Sequence, residues 1–112
     1  MYEGPVAFLP LDRRVYTGEF DGSKARAIKT ELEVTYPETK TRITYSFDCG
    51  LQLPGGKITP FTIDGYAEAG WTGARHSNGM GNDTPGSWAK GSYSVTCRSQ
   101  GIVVAQRSFT VY

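Results

Sequence analysis

The sequence of 112 residues has the length of one domain, and we expect a single domain over residues 1–112. Twelve basic and eleven acidic side chains give a net charge of +1 without any Lys or Arg run, which argues against nucleic acid as a partner. No stretch is apolar enough to span a bilayer, so no membrane insertion is expected.

The N-terminal part is apolar but contains a proline. Residues 5–20, PVAFLPLDRRVYTGEF, are interrupted by Pro10, whose missing N–H limits it to an edge, a bulge or a kink. We therefore predict an edge strand that breaks in two. The preceding MYEGP has neither the basic segment nor the apolar run of a signal peptide, and we expect that a leader or flanking domains were removed.

Two segments alternate with the period of two that marks strands with one buried face. They are IKTELEVTY at 28–36 and RITYSFDC at 42–49, and the polar PETK between them predicts a hairpin. Together with the strand that contains Tyr93, these segments predict the core. Its members are Ile28, Leu32, Val34, Ile43, Tyr45, Phe47, Tyr93 and Val95.

The middle of the chain is rich in turn residues. LPGG at 53–56 and DG at 64–65 are turn signals, and Pro60 marks KITPFTI as an edge strand. Residues 70–87 show no alternation and are dense in Gly, Asn, Asp, Ser and Pro. We predict a long mobile loop there, and we expect it to be a contact surface.

The C-terminal part predicts a hairpin in which GSYSVTC leads through SQG into IVVAQRSFTVY. The alternation of the second strand places Arg107 on the inner face. A bulge near Gln106 and Arg107, or an inner face that is open at that end, would resolve this conflict.

Cys49 and Cys97 each close the inward-facing series of a predicted strand. Two facing sheets would bring them together as an inter-sheet disulfide. The alternative is a pair of buried free thiols that behave as small apolar residues. A bridge implies an oxidising compartment, so we expect a periplasmic or extracellular protein.

Residues 88–111, WAKGSYSVTCRSQGIVVAQRSFTV, resemble the closing hairpin of bacterial immunoglobulin-like β-sandwich modules. The shared features are a Trp, a Gly-x-Tyr, a short turn and an F-x-V strand. The resemblance implies an all-β, antiparallel immunoglobulin-like sandwich of about seven strands, a fold whose function lies in its loops and edges.

The sequence favours a binding module over an enzyme. G-x-S-x-G, P-loop and H-E-x-x-H motifs are missing, and we predict no catalytic residue, metal or cofactor. The leading hypothesis is a non-catalytic module that binds a protein partner through an edge strand or the 70–87 loop. The candidate binding residues are Trp71, Arg75, His76, Met80, Asp83 and Trp88.

Two other functions stay open. Trp71 and Trp88 bracket the predicted loop, and exposed tryptophans beside polar groups make contact surfaces for sugars, so the partner could be a glycan. Alternatively, Trp88 covers the core. A small hydrolase or an inhibitor would require His76, the only histidine, to lie beside carboxylates such as Asp83.

Overall fold

The computed structural model describes all 112 residues and consists of eight strands in two sheets, without an α-helix. The strands are β1 Tyr2–Gly4, β2 Glu19–Phe20, β3 Ala27–Thr35, β4 Ile43–Gln52, β5 Ile58–Ala67, β6 Gly73–Gly81, β7 Gly91–Ser99 and β8 Ile102–Val111. One sheet has the order β1–β3–β6 and the other β2–β8–β7–β4–β5. All pairs are antiparallel except β2–β8, which confirms the all-β class. No helix in the chain has the length and hydrophobicity that a membrane-crossing helix needs.

A continuous core fills the space between the sheets. Tyr93 and Phe109 are register partners whose rings stack with centroids 5.0 Å apart, and Phe20 packs edge-on against Phe109. The buried members of the core are Phe20, Ala25, Ile28, Cys49, Leu51, Ile63, Tyr93, Val95, Cys97, Phe109 and Val111.

The predicted core residues lie on the correct faces of their strands, but the buried part of β3 and β4 is shorter than predicted. Ile28, Tyr93 and Val95 are buried, whereas burial declines along β3 and β4 towards one end of the molecule. Leu32, Val34, Tyr45 and Phe47 are half-buried there, and Ile43 is exposed.

The predicted hairpin between residues 28–36 and 42–49 is wrong. β3 pairs with β1 and β6, and β4 pairs with β5 and β7, so the connection at residues 36–42 crosses from one sheet to the other. Alternation determines which face of a strand is buried, but it does not determine which strand lies beside it.

The N-terminal segment forms two short edge strands, of which β2 lies within the predicted residues 5–20 and β1 lies before them. β1 lies at the edge of the three-stranded sheet and β2 at the edge of the five-stranded sheet. Residues 5–18 between them are irregular except for a 3-10 turn at Leu11–Arg13. This segment is attached to β3 by an ion pair between Arg14 and Glu31, and the Tyr16 hydroxyl also donates to Glu31.

The disulfide between Cys49 and Cys97 is present, but it is not the inter-sheet bridge that the sequence predicts. Cys49 on β4 and Cys97 on β7 are direct register partners in the same sheet. Both cysteine side chains point inward, as the alternation of their strands predicts. They meet because β4 and β7 are neighbouring strands of one sheet.

In the middle of the chain, the turn predicted at Asp64-Gly65 and the central part of the loop predicted at residues 70–87 are wrong. The edge position predicted for the strand with Pro60 is confirmed. β5 is an edge strand, as Pro60 indicates, but it continues through Asp64 and Gly65 to Ala67. Residues 73–81 of the predicted long loop form β6, which pairs with β3 along its whole length.

The C-terminal hairpin of β7 and β8 is confirmed. A bulge is also present, but Val104 is the extra residue, because Cys97 pairs with Ala105 and Arg98 with Val103. Arg107 keeps the phase of Phe109 and is exposed, since the inner face is open at this end.

Candidate functional site

The main cleft of the molecule has a volume of about 520 Å³ and lies where β5 and the segment leading into β6 meet. Its lining residues are Tyr66, Gly70, Trp71, Thr72, Gly73, Ala74, Arg75 and His76. All come from the end of β5 and from one stretch of seven consecutive residues, so the cleft is a local feature of the junction between the two sheets.

A side-chain contact and a close approach hold the two sheets together beside the cleft. Asn78 of β6 donates through Nδ2 to the carbonyl of Thr62 on β5, at 2.7 Å. Further along, the His76 ring lies over Gly65, where a Cβ would be 2.6 Å from His76 Cδ2. Only glycine leaves room for the ring at this position.

An aromatic cluster forms the wall of the cleft. The centroids of Tyr66 and Trp71 are 5.6 Å apart, with 36° between the ring planes, and His76 lies 5.8 Å from Tyr66. The guanidinium of Arg42 lies over Tyr66, 4.8 Å from the ring centroid. About 39% of Tyr66 and of Trp71 is accessible to solvent, so both rings can be contacted from outside.

His76 is held as a neutral group. Burial lowers its pKa below the usual value, and a backbone contact with Tyr66 opposes this effect only in part. Its Nε2 is hydrogen-bonded to the Tyr45 hydroxyl at 2.9 Å, and burial raises the pKa of Tyr45. At neutral pH the pair is therefore an uncharged hydrogen bond behind the aromatic wall.

A second exposed feature is the outer edge of β8. β2 pairs only with Thr110 and Val111, which leaves the rest of this edge without a strand partner. The side chains of Ile102, Val103 and Val104 on this part are 69%, 50% and 50% exposed.

The hydrogen bonds at the covered end show which backbone groups face outward. The amide of Thr110 donates to Gly18 and that of Tyr112 to Phe20. Because the direction of the backbone N–H alternates along a strand, the amides of Gln106 and Ser108 point to the same, here uncovered, side.

Comparisons with protein-family models, curated proteins and solved structures give no match for this chain. The features of the chain that bear on its function are therefore the cleft and the β8 edge. No group of three or more His, Cys, Asp or Glu side chains is placed so that it could hold a metal ion.

The structure brings together half of the predicted site residues. Trp71, Arg75 and His76 line the cleft. Met80 packs against the core near the other end of β6, and Asp83 accepts a hydrogen bond from the Val6 amide at 2.7 Å. The cleft therefore contains three of the six candidate residues, and Met80 and Asp83 lie towards and beyond the other end of β6.

Trp88 belongs to the core and not to the cleft. Its ring packs against Tyr93 and Phe109, and its Nε1 donates to the carbonyl of Arg26 at 2.7 Å. Trp88 therefore does not line the cleft that contains Trp71. The cleft partner of Trp71 is Tyr66, which the sequence does not single out because the preceding Asp64-Gly65 has the composition of a turn.

The acid–base pair that a hydrolase would require does not form around His76. The polar contacts of its ring are the Tyr45 hydroxyl and the backbone of Tyr66, and no carboxylate hydrogen-bonds to it. Asp83 lies past the far end of β6 and contacts Val6 instead.

Proposed function

We propose that this chain is an immunoglobulin-like, non-catalytic interaction module that binds an extended segment of a protein partner along the open edge of β8. The observation that carries the proposal is the length of β8 that β2 leaves uncovered, together with the exposed apolar side chains on it.

The strand pairing supports the immunoglobulin-like assignment. With β1 and β2 as strands A and A′, β3 to β5 as B, C and C′, and β6 to β8 as E, F and G, the sheets read A–B–E and A′–G–F–C–C′. This corresponds to the pairing of an immunoglobulin-type sandwich in which strand D is missing. The disulfide departs from the antibody pattern, because it joins C to F instead of B to F.

Tyr93 gives independent support for this assignment. It lies near the start of β7, and its hydroxyl donates to the carbonyl of Ala89, four residues upstream, at 2.6 Å. A tyrosine at the start of strand F whose hydroxyl returns to the upstream backbone is the tyrosine corner of immunoglobulin-like sandwiches.

The β8 edge has no strand partner before Thr110, whereas the other edges have neighbours. β5 and β6 lie against each other through the Asn78–Thr62 contact, and the segment after β1 returns so that the Thr17 amide donates to the Met1 carbonyl. An uncovered edge presents N–H and C=O groups that pair with an added strand, while side-chain contacts give selectivity.

The side chains near this edge indicate the chemistry of the partner. Ile102, Val103 and Val104 provide apolar contacts, and Arg98 and Arg107 form no ion pair within the chain. An extended apolar segment that carries a carboxylate fits these groups. The disulfide supports a secreted or periplasmic setting, because such bridges persist in oxidising compartments.

The test uses a peptide selected for binding from a library of extended sequences. Gln106→Pro removes an outward amide that no strand of this chain uses, whereas Gln106→Thr changes the side chain and keeps the amide. We expect the proline variant to fold and to lose at least about tenfold in affinity, which corresponds to 1.4 kcal/mol. Equal affinity of both variants for the peptide, or amide shifts on binding that avoid Gln106 and Ser108, would contradict the proposal.

A further inference from the structure

We propose that the cleft formed by Tyr66, Trp71, Thr72 and Arg75 is a binding site for a neutral saccharide. This site is separate from the β8 edge and does not depend on the function proposed for it.

The two exposed rings provide the platform that a sugar ring requires. A pyranose has a face of C–H groups, and this face packs against aromatic rings while the hydroxyls at its rim form hydrogen bonds. The centroids of the Tyr66 and Trp71 rings are 5.6 Å apart with 36° between their planes, and both residues are partly accessible to solvent. Arg42 supports the Tyr66 ring and is itself held by Glu68, at 3.3 Å.

Unused polar groups surround this platform. The indole N–H of Trp71 and the hydroxyl of Thr72 make no hydrogen bond within the chain, in contrast to the indole N–H of Trp88. The guanidinium of Arg75 has only a loose contact with Glu33, at 3.7 Å. Rings with hydrogen-bonding groups at their rim are the combination that fixes the orientation of a small polar ligand in a binding site.

The charges around the cleft favour a neutral ligand over an anion. Arg75, the arginine that lines the cleft, lies 3.7 Å from Glu33, and Arg42, which lies over the Tyr66 ring, is paired with Glu68. His76 adds no charge at neutral pH, because burial lowers its pKa. A phosphate or an acidic peptide would have to compete with both glutamates, whereas saccharide hydroxyls need only donors and acceptors.

The size of the cleft is appropriate for such a ligand. Its volume of about 520 Å³ lies within the range of roughly 300–1,000 Å³ that is typical of small-molecule sites. It is shallow and largely open to solvent, so a chain of sugars can extend beyond the ring that packs on Tyr66 and Trp71.

The test measures the indole signal of Trp71 and uses that of Trp88 as an internal control. In a ¹⁵N-labelled sample, the indole N–H of Trp71 is free and that of Trp88 is bonded to Arg26. Cellotriose, maltotriose and triacetylchitotriose are titrated to about 10 mM, which exceeds a Kd of 1 mM tenfold. We expect at least one of them to shift the Trp71 indole signal saturably and to leave the Trp88 signal in place.

Variants separate the cleft from general surface binding. Trp71→Ala should abolish the shifts of the amides at residues 72–76, whereas Ile58→Ala, which truncates an exposed apolar side chain elsewhere on β5, should keep them. If no trisaccharide shifts the Trp71 signal, or if the amide shifts persist in Trp71→Ala, the saccharide site is wrong. Either result leaves the peptide test at Gln106 unaffected, so the two proposals fail separately.

Discussion

Cys49 and Cys97 lie directly opposite each other on β4 and β7, with their Cα atoms 4.0 Å apart. The bridge therefore joins two strands that already pair, and it does not tie one sheet to the other. Its contribution comes from the loop it closes, since the two cysteines are 48 residues apart in sequence. The chain-entropy estimate for such a loop is about 4 kcal/mol, as an upper value.

Removing the bridge should lower stability without changing the strand pairing. For Cys49→Ala/Cys97→Ala we expect the free energy of unfolding in urea to fall by about 2–4 kcal/mol, while the far-ultraviolet circular dichroism of the folded state is unchanged. Reduced wild-type protein is the control for the lost side-chain volume. If the free energy of unfolding falls by less than about 1 kcal/mol in both the double mutant and the reduced wild type, closing the loop contributes little to stability.

The ion pair of Arg14 and Glu31 should attach the N-terminal segment to β3. The two side chains are only 8% and 11% exposed, and Tyr16 adds a hydrogen bond to the same carboxylate. Because Glu31→Gln leaves Arg14 without a counter-charge, we expect a loss of about 2 kcal/mol, between the values for exposed and deeply buried pairs.

The matched control is Glu33→Gln on the same strand, whose side chain is 67% exposed and contacts Arg75 at 3.7 Å. We expect this change to cost less than about 1 kcal/mol in the same urea titration. Equal losses for Glu31→Gln and Glu33→Gln would mean that the Arg14 contact is not a special attachment.

The hydroxyl of Tyr93 should stabilise the fold through its one hydrogen bond to the Ala89 carbonyl. Tyr93→Phe keeps the ring that stacks on Phe109 but leaves the Ala89 carbonyl without its donor. We expect a loss of about 1 kcal/mol and a correspondingly lower melting temperature. The control is Tyr112→Phe, because Tyr112 is exposed. An unchanged melting temperature for Tyr93→Phe would remove the energetic support for a tyrosine corner.

The sequence predicted local features well because they depend on local geometry. Alternation placed Cys49, Cys97, Tyr93 and Val95 on inner faces, and Pro60 marked an edge strand. Partner choice was missed, because the same alternation fits any neighbouring strand. The pairing of β3 with β6 depends on contacts between residues 38 to 54 positions apart, which no short pattern encodes.

Three of the six candidate binding residues line the cleft, and the composition of β6 explains why the sequence did not predict this strand. Its inward positions are Ala74, His76, Asn78 and Met80, so small or polar side chains interrupt the apolar series by which a strand is recognised. These residues are inward but lie at the junction of the two sheets, where Asn78 binds a backbone carbonyl and His76 binds Tyr45. A strand at such a junction has the composition of a loop.

Gly65 should be required for the wall of the cleft. A Cβ at this position would lie 2.5 Å from Tyr45 Cε2 and 2.6 Å from His76 Cδ2, so both rings would have to move. For Gly65→Ala we expect a loss of about 1–3 kcal/mol on urea unfolding and shifted ring signals of Tyr45 and His76 in NMR spectra. Gly55→Ala is the control, because a Cβ there meets nothing within 4 Å. Unmoved ring signals in Gly65→Ala would contradict this close packing.

The neutral state of His76 should make stability depend on pH in one direction. Burial lowers the folded-state pKa of His76 below the unfolded value of about 6.5, so the unfolded chain binds this proton more readily. The stabilisation of the fold by neutral His76 is therefore fully present above about pH 6.5. It is lost as the pH falls from that value towards the lower folded-state pKa. The measurement is the free energy of unfolding at several pH values between about 7.5 and 5 for wild type and for His76→Gln, which has no titrating ring. Carboxylates titrate alike in both proteins, so the difference between the two curves reports His76. We expect the advantage of wild type over His76→Gln to shrink with acidification, and a difference that stays constant or grows would show that the histidine is not held in its neutral form.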